Sequence, residues 1–209
     1  MRKLNIAIIG LGNIGCYLFK YLNDNKKILI KKNNCLPVIK YVSAKNKKKK
    51  RNIKIKKGQW LKNYLSATKL KDVDLIIELI GGAEGPAKKL VFEALKNKKH
   101  VVTANKALIA KYGDQLSTIA EKNKVNLEFE ASVCGGVPII RALKEGLIAN
   151  KIFKIYGIFN GTSNYILSSM EKQNKSFEEV LSNAKKLGYA EANPTADLNG
   201  DDESSKLKI

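Results

Sequence analysis

Asp202 and Lys206 stand four residues apart near the end of a 209-residue chain. On a helix that spacing places them on one face. A carboxylate beside an ammonium makes a proton-handling couple, because each group favours the charged form of the other. The plainer use of the same spacing is a surface ion pair worth about 0.3–0.5 kcal/mol. The pair lies in an acidic stretch, Gly188 to Lys206, that also holds Glu191, Asp197, Asp201 and Glu203. Asp201 and Glu203 fit the stabilisation of a first helical turn. Lys106 is a further candidate, in Val101-Val102-Thr103-Ala104-Asn105-Lys106. It opens a predicted helix at the carboxyl end of a predicted strand, where α/β sheets bind ligands. An ammonium there is unfavourable unless an anion is near. An ordinary exposed lysine fits the position equally.

Gly10-Leu11-Gly12-Asn13-Ile14-Gly15 follows an apolar run and precedes residues at helical spacing. The first glycine permits a tight turn, the second lets a pyrophosphate approach the backbone, and the third lets helix and strand pack closely. Gly10, Gly12, Asn13, Ile14 and Gly15 are therefore candidate dinucleotide-binding residues. NAD sites usually place a carboxylate about 20 residues further on, against the ribose 2′-hydroxyl. No acidic residue occurs between Asp24 and Asp72; the predicted second strand is followed instead by Lys45, Lys47, Lys48, Lys49, Lys50 and Arg51. Cations beside the ribose favour a 2′-phosphate. The expectation is NADP, with NAD as the alternative cofactor. For most of these lysines a solvated loop is the simpler role.

These groups need a scaffold. Runs at 4–9, 36–44, 74–80, 100–103 and 125–130 read as strands, alternating with helices that follow Gly12 and span 85–97 and 105–122. Such alternation predicts an α/β fold, a Rossmann-type doubly wound parallel sheet. Past residue 131 the pattern changes: a helix from Pro138 to about Asn150, a strand over 152–159, helices over 163–172 and 176–187, and a final helix from Asp201. We expect a dinucleotide domain at 1–135. Residues 136–209 then begin an α+β catalytic and dimerisation domain, incomplete at its C-terminus.

Composition narrows the class. The chain has 39 Lys+Arg against 19 Asp+Glu, a net charge of +20, yet only three of the basic residues are arginine. Nucleic-acid recognition favours the bidentate arginine fork, and single-strand binders interleave aromatics. None occurs from Lys45 to Gln59. A basic nucleic-acid-binding module is the weaker alternative, and lysine excess reads as compositional. No apolar run approaches the roughly 18 residues of a membrane span. Three widely spaced cysteines and a single histidine fit neither a disulfide framework nor a zinc site. The expected location is cytoplasmic.

Five segments together carry a resemblance to homoserine dehydrogenase of the bacterial type: ELIGGAEGPA (78–87), VVTANKALIAKYG (101–113), FEASVCGGVPII (129–140), GIFNGTSNYILSSM (157–170) and GYAEANPTADLNGDDESSKL (188–207). The resemblance implies NAD(P)-dependent interconversion of L-homoserine and L-aspartate 4-semialdehyde, in the synthesis of threonine, methionine and isoleucine. By motif match Lys206 is similar to the catalytic lysine, with Asp202 as its partner and a substrate ligand. Lys106 resembles the family's lysine between cofactor and substrate. Gly188 would touch the cofactor. Glu191, Asp197, Thr162 and Tyr189 would line the substrate site. Glu130, with the carbonyls of Val133, Gly135 and Val137, resembles a structural sodium site, where oxygen-only ligation suits a hard cation. Family members continue beyond this chain's last residue. The implied assembly is a homodimer once that later part is supplied; the alternative is an inactive NADP-binding fragment or one half of a split enzyme.

Overall fold

The computed structural model describes residues 1–135, 137–190 and 194–209. It divides into two compact units, Met1–Ile140 and Arg141–Ile209.

The first unit is a five-stranded parallel sheet of β1 (Arg2–Ile9), β2 (Cys35–Ser43), β3 (Leu75–Glu78), β4 (His100–Thr103) and β5 (Leu127–Glu128), in the order β2-β1-β3-β4-β5. The helices are α1 (Asn13–Asp24), α2 (Lys26–Asn33), α3 (Pro86–Lys96) and α4 (Lys106–Asn123). The Rossmann-type expectation holds. Ile6, Ala7, Ile8 and Ile9 of β1 are all buried. A strand covered on both faces needs an unbroken apolar run rather than an alternating one, which is why LNIAII reads as it does. Ile6 and Ile8 join Phe19 of α1, Ile39, Val42 and Ile77 in one core cluster. Leu90, Val91, Ala94 and Leu95 bury the inner face of α3, and Leu108, Ile109, Leu116 and Ala120 that of α4.

Local chemistry sets the helix ends. Pro86 at the first position of α3 lacks an N–H that would be unpaired there anyway. Asn105 caps α4, its Oδ1 accepting from the Leu108 amide at 3.1 Å.

The second unit holds α6 (Gly161–Gln173), α7 (Phe177–Leu187), α8 (Thr195–Leu198) and α9 (Asp201–Leu207). The short α5 (Ile139–Arg141) lies at the division and runs on into a single π turn, Ala142–Gly146. α6 packs on α7, and Ile166 of α6 and Val180 and Ala184 of α7 are buried. Ser176 and Glu179 form a capping box at the start of α7.

Three expected elements differ. Residues 152–159 form no strand: the segment is irregular, and no described strand pairs with it. Its side chains face solvent, Phe153 at 85% and Tyr156 at 83% exposure, so the apolar pattern has no ladder to join. The expected helix from Pro138 to Asn150 ends at Gly146, after the widened π turn. The fifth strand shrinks from 125–130 to Leu127–Glu128, because Glu130 already opens a 3-10 turn through Ser132. The expectation also missed α2, whose lysine-flanked Ile28-Leu29-Ile30 run carries no clear period and buries nothing fully.

Candidate active site

The strand order reverses between β1 and β3, and the crevice outside their carboxyl ends is where open α/β sheets take ligands. The glycine turn sits there. Gly10 has φ +110°, and a Cβ on it would lie 2.3 Å from the Leu79 carbonyl oxygen. A Cβ on Gly15 would lie 2.0 Å from the Gly10 oxygen, so the third glycine lets α1 close on its own turn. Around Gly12 nothing lies within 4 Å. Asn13 and Ile14, both exposed, begin α1 without any acidic side chain in its first turn. The arrangement suits a pyrophosphate on the helix N-terminus. A cavity of about 1100 Å³ opens beside it, lined by Gly10, Ser43, Lys45, Lys47, Lys48 and Tyr64 among others. Lysines of the loop after β2 thus line the cavity that holds the first glycine.

A buried polar network underlies the same edge. Glu78, fully buried at the end of β3, accepts from the amides of Ile80 (2.7 Å) and Gly81 (3.0 Å) and from the Thr103 hydroxyl (2.5 Å). Thr103 Oγ1 in turn accepts from the Asn105 amide at 3.0 Å, and Asn105 Nδ2 donates to the Gly82 carbonyl at 2.8 Å. Every acceptor lone pair so used offsets the cost of keeping the carboxylate out of water. The network ties the loop after β3 to the cap of α4, which begins with half-buried Lys106. Glu78 escaped the sequence reading, because a glutamate in an apolar strand gives no sign of its partners.

On the helix α3 side of that loop, Glu84 accepts from Lys111 (2.8 Å), Lys88 (3.1 Å) and the Tyr112 hydroxyl. Hydrogen bonds from Lys111, Tyr112 and Lys88, in that order, hold its carboxyl down at about 2.

In the second unit Lys206 Nζ lies 2.6 Å from Asp202 Oδ2, and it also donates to the Phe159 carbonyl. Their side chains are only 17% and 12% exposed, so this is not the solvated surface pair that spacing alone suggests. Asn160 sits at the centre. Its Oδ1 caps α6 by accepting from the Ser163 amide at 3.1 Å. Its Nδ2 donates to Asp197 Oδ1 and to Asp202 Oδ2, both at 2.8 Å. Thr162 Oγ1 meets Asp197 Oδ2 at 3.0 Å and donates to the Tyr189 carbonyl at 2.6 Å. Tyr189 stacks on Tyr165 with centroids 4.6 Å apart. Ser163 Oγ donates to Glu203 Oε1 at 3.2 Å, and the other oxygen of Glu203 is buried without a hydrogen-bond partner among the described residues.

So Lys206, Asp202, Asp197, Thr162 and Tyr189 come together, around an asparagine the sequence reading did not single out. Its signal was its place as the cap in Asn160-Gly161-Thr162. Gly188 has φ +79° and terminates α7 as its left-handed cap. Glu191 lies outside the described residues. In the first unit Glu130 Oε1 accepts from the Ile140 amide at 3.0 Å, and the Val137 carbonyl accepts from the Ile139 amide. Gly135 has φ +60°. Among the described residues no three His, Cys, Asp or Glu side chains cluster as metal ligands.

Residues 10–130 match the family model for the homoserine dehydrogenase NAD binding domain, and residues 138–209 match that for homoserine dehydrogenase. The chain is 42% identical over 209 residues to a homoserine dehydrogenase of Bacillus subtilis and 43% identical to one of Neisseria gonorrhoeae. All of this chain and 48% of each relative are covered, so it spans about half the length of the curated relatives it matches. A homoserine dehydrogenase structure from S. aureus superposes with a TM-score of 0.85 at 42% identity, over all of this chain and 49% of that one. Among the described residues no helix is long and apolar enough to cross a membrane.

Proposed function

Because the chain belongs to the homoserine dehydrogenase family, we propose that it carries the dinucleotide site and the proton-handling couple of a homoserine dehydrogenase. The reaction is the NAD(P)-dependent interconversion of L-homoserine and L-aspartate 4-semialdehyde, in the cytoplasmic route to threonine, methionine and isoleucine. The carrying observation is the sheltered Lys206–Asp202 pair, 2.6 Å apart, with Asn160 and Asp197 around it.

In the reducing direction the Lys206 ammonium gives its proton to the substrate carbonyl oxygen as negative charge develops there. Asp202 holds that ammonium in place. Asp197 and Glu191 are the carboxylates proposed for the substrate ammonium; Thr162 and Tyr189 stand beside Asp197. Lys106, which opens α4, would be a further catalytic and cofactor-binding residue. The nicotinamide, when bound, supplies or takes up the hydride. Gly10, Gly12, Asn13, Ile14 and Gly15 would hold its pyrophosphate, and Gly188 is a further cofactor-binding candidate.

We assign NADP rather than NAD. Lys45, Lys47 and Lys48 line the cavity beside Gly10, no described carboxylate lines it, and the sequence has none between Asp24 and Asp72. Glu130 with the carbonyls of Val133, Gly135 and Val137 would hold a structural sodium ion, and the assembly would be a homodimer.

The test is NADPH oxidation with L-aspartate 4-semialdehyde by the purified protein. Lys206→Ala and Asp202→Ala should each lower turnover by about 10²–10⁴-fold, the worth of a positioned acid, with little change in NADPH affinity. Near-parental turnover in either variant refutes the assignment.

A further inference from the structure

Arg51 is one of only three arginines, and it lies in a run where six of seven residues, 45–51, are cationic. Such a run repels itself and extends unless something holds it. Arg51 does the holding. Its Nε donates to the Leu11 carbonyl at 3.1 Å, inside the glycine turn. Its Nη1 donates to the Lys49 carbonyl and its Nη2 to the Asn46 carbonyl, each at 2.8 Å. Asn46 Oδ1 accepts from the amides of Lys48 (2.9 Å) and Lys49 (3.2 Å), so the loop is folded back from both sides. The guanidinium carbon lies 5.7 Å from the ring centroid of Trp60, and Trp60 is bridged to Val42 of β2. Lys45, Asn46, Lys47 and Lys48 line the cavity that Gly10 and Ser43 also line.

We propose that Arg51 is a positioning residue that fixes the lysine loop relative to the glycine turn, so that the lysines, and not Arg51 itself, meet the 2′-phosphate. This rests on the reading of the cavity as the NADP site. Three of the five guanidinium N–H groups are committed to carbonyls in three directions. A planar fork can hold that geometry, whereas a lysine offers one compact ammonium on a flexible stem. A strut and a phosphate ligand therefore respond differently to Arg51→Lys: the ligand role survives on charge, and the strut does not.

The experiment titrates the full chain with NADPH and NADH. Trp60, the sole tryptophan, reports through energy transfer to the reduced nicotinamide. The parent should prefer NADPH. Arg51→Lys and Arg51→Ala should behave alike, each losing about tenfold or more in NADPH affinity with NADH affinity nearly unchanged. Lys47→Gln combined with Lys48→Gln should lose the same preference with Arg51 intact, which keeps the test decisive if the Arg51 variants do not fold. The proposal is overturned if Arg51→Lys keeps the parental preference, if both Arg51 variants weaken NADPH and NADH equally, or if the double lysine variant retains its preference. A parent that binds neither dinucleotide refutes the reading of the cavity instead.

Discussion

Asn160→Asp separates the two jobs of Asn160, because aspartate caps a helix as well as asparagine does but lacks the amide donor. In the parent, Nδ2 lies 2.8 Å from one oxygen each of Asp197 and Asp202. An ionised carboxylate in that place would repel each neighbour by about 6 kcal/mol, taking an effective dielectric near 20. Protonation is cheaper. At pH 7 it costs about 4 kcal/mol, three pH units above an ordinary aspartate pKa of about 3.9 at 1.36 kcal/mol each. The introduced carboxyl is therefore neutral in the folded state, with a pKa raised above its unfolded value. The sign follows: stability is retained below about 3.9 and lost as pH rises toward the folded pKa. The neutral acid has one O–H for two carboxylates, so a bond to a charged acceptor is also lost, worth about 1.5–3 kcal/mol at any pH. Urea unfolding followed by helical circular dichroism should show the variant-minus-parent difference growing by about 3–4 kcal/mol from pH 4 to pH 7. A difference that stays constant across that range would mean Asn160 does not bridge the two carboxylates.

Two glycine substitutions should part company. Gly15→Ala drives a Cβ into the Gly10 carbonyl and should lower both the melting temperature and NADPH binding. Gly12→Ala meets nothing within 4 Å, so the melting temperature should hold while NADPH affinity falls; unchanged affinity would place the pyrophosphate elsewhere. Glu78→Ala orphans two amides and a hydroxyl, each costing about 1–3 kcal/mol, and a melting temperature within a degree of the parent would contradict the network. The Glu84 carboxyl should titrate in a carbon-detected NMR series at about 2 rather than an ordinary 4.5. Its lowered pKa stabilises the fold above the unfolded value, and that contribution fades as pH drops through about 2; a midpoint above 4 removes the Lys111–Tyr112–Lys88 arrangement.

Much of the first unit was legible because a doubly buried strand and a glycine turn impose local demands. LNIAII must be apolar throughout, and Gly10 and Gly15 admit no Cβ, so both leave marks that need no knowledge of partners. The Asp202–Lys206 pair was legible as spacing, but its sheltering was not, since it depends on Phe159 and Asn160, 42 and more residues away by chain. Asn160 is an ordinary helix cap as well. Its second role exists only because α8 and α9 return two carboxylates to its amide. Residues 152–159 show the opposite failure. An apolar run states a preference for burial, and a strand forms only where another backbone offers hydrogen bonds.

That exposed segment has a consequence for how the protein behaves at concentration. Ile152, Phe153, Ile155, Tyr156 and Ile158 are all 45–85% exposed, and an apolar segment that pairs with no described strand is a template for association between molecules. Lys151 and Lys154 interrupt the run and lie over the Phe153 and Tyr156 rings at 5.3 and 5.4 Å. They act as gatekeepers, setting a charge wherever a neighbouring copy would have to stack. The net charge of +20 adds long-range repulsion to the same end. Salt screens that repulsion within about 10 Å at 0.1 M, so turbidity should rise with ionic strength well before the fold is lost.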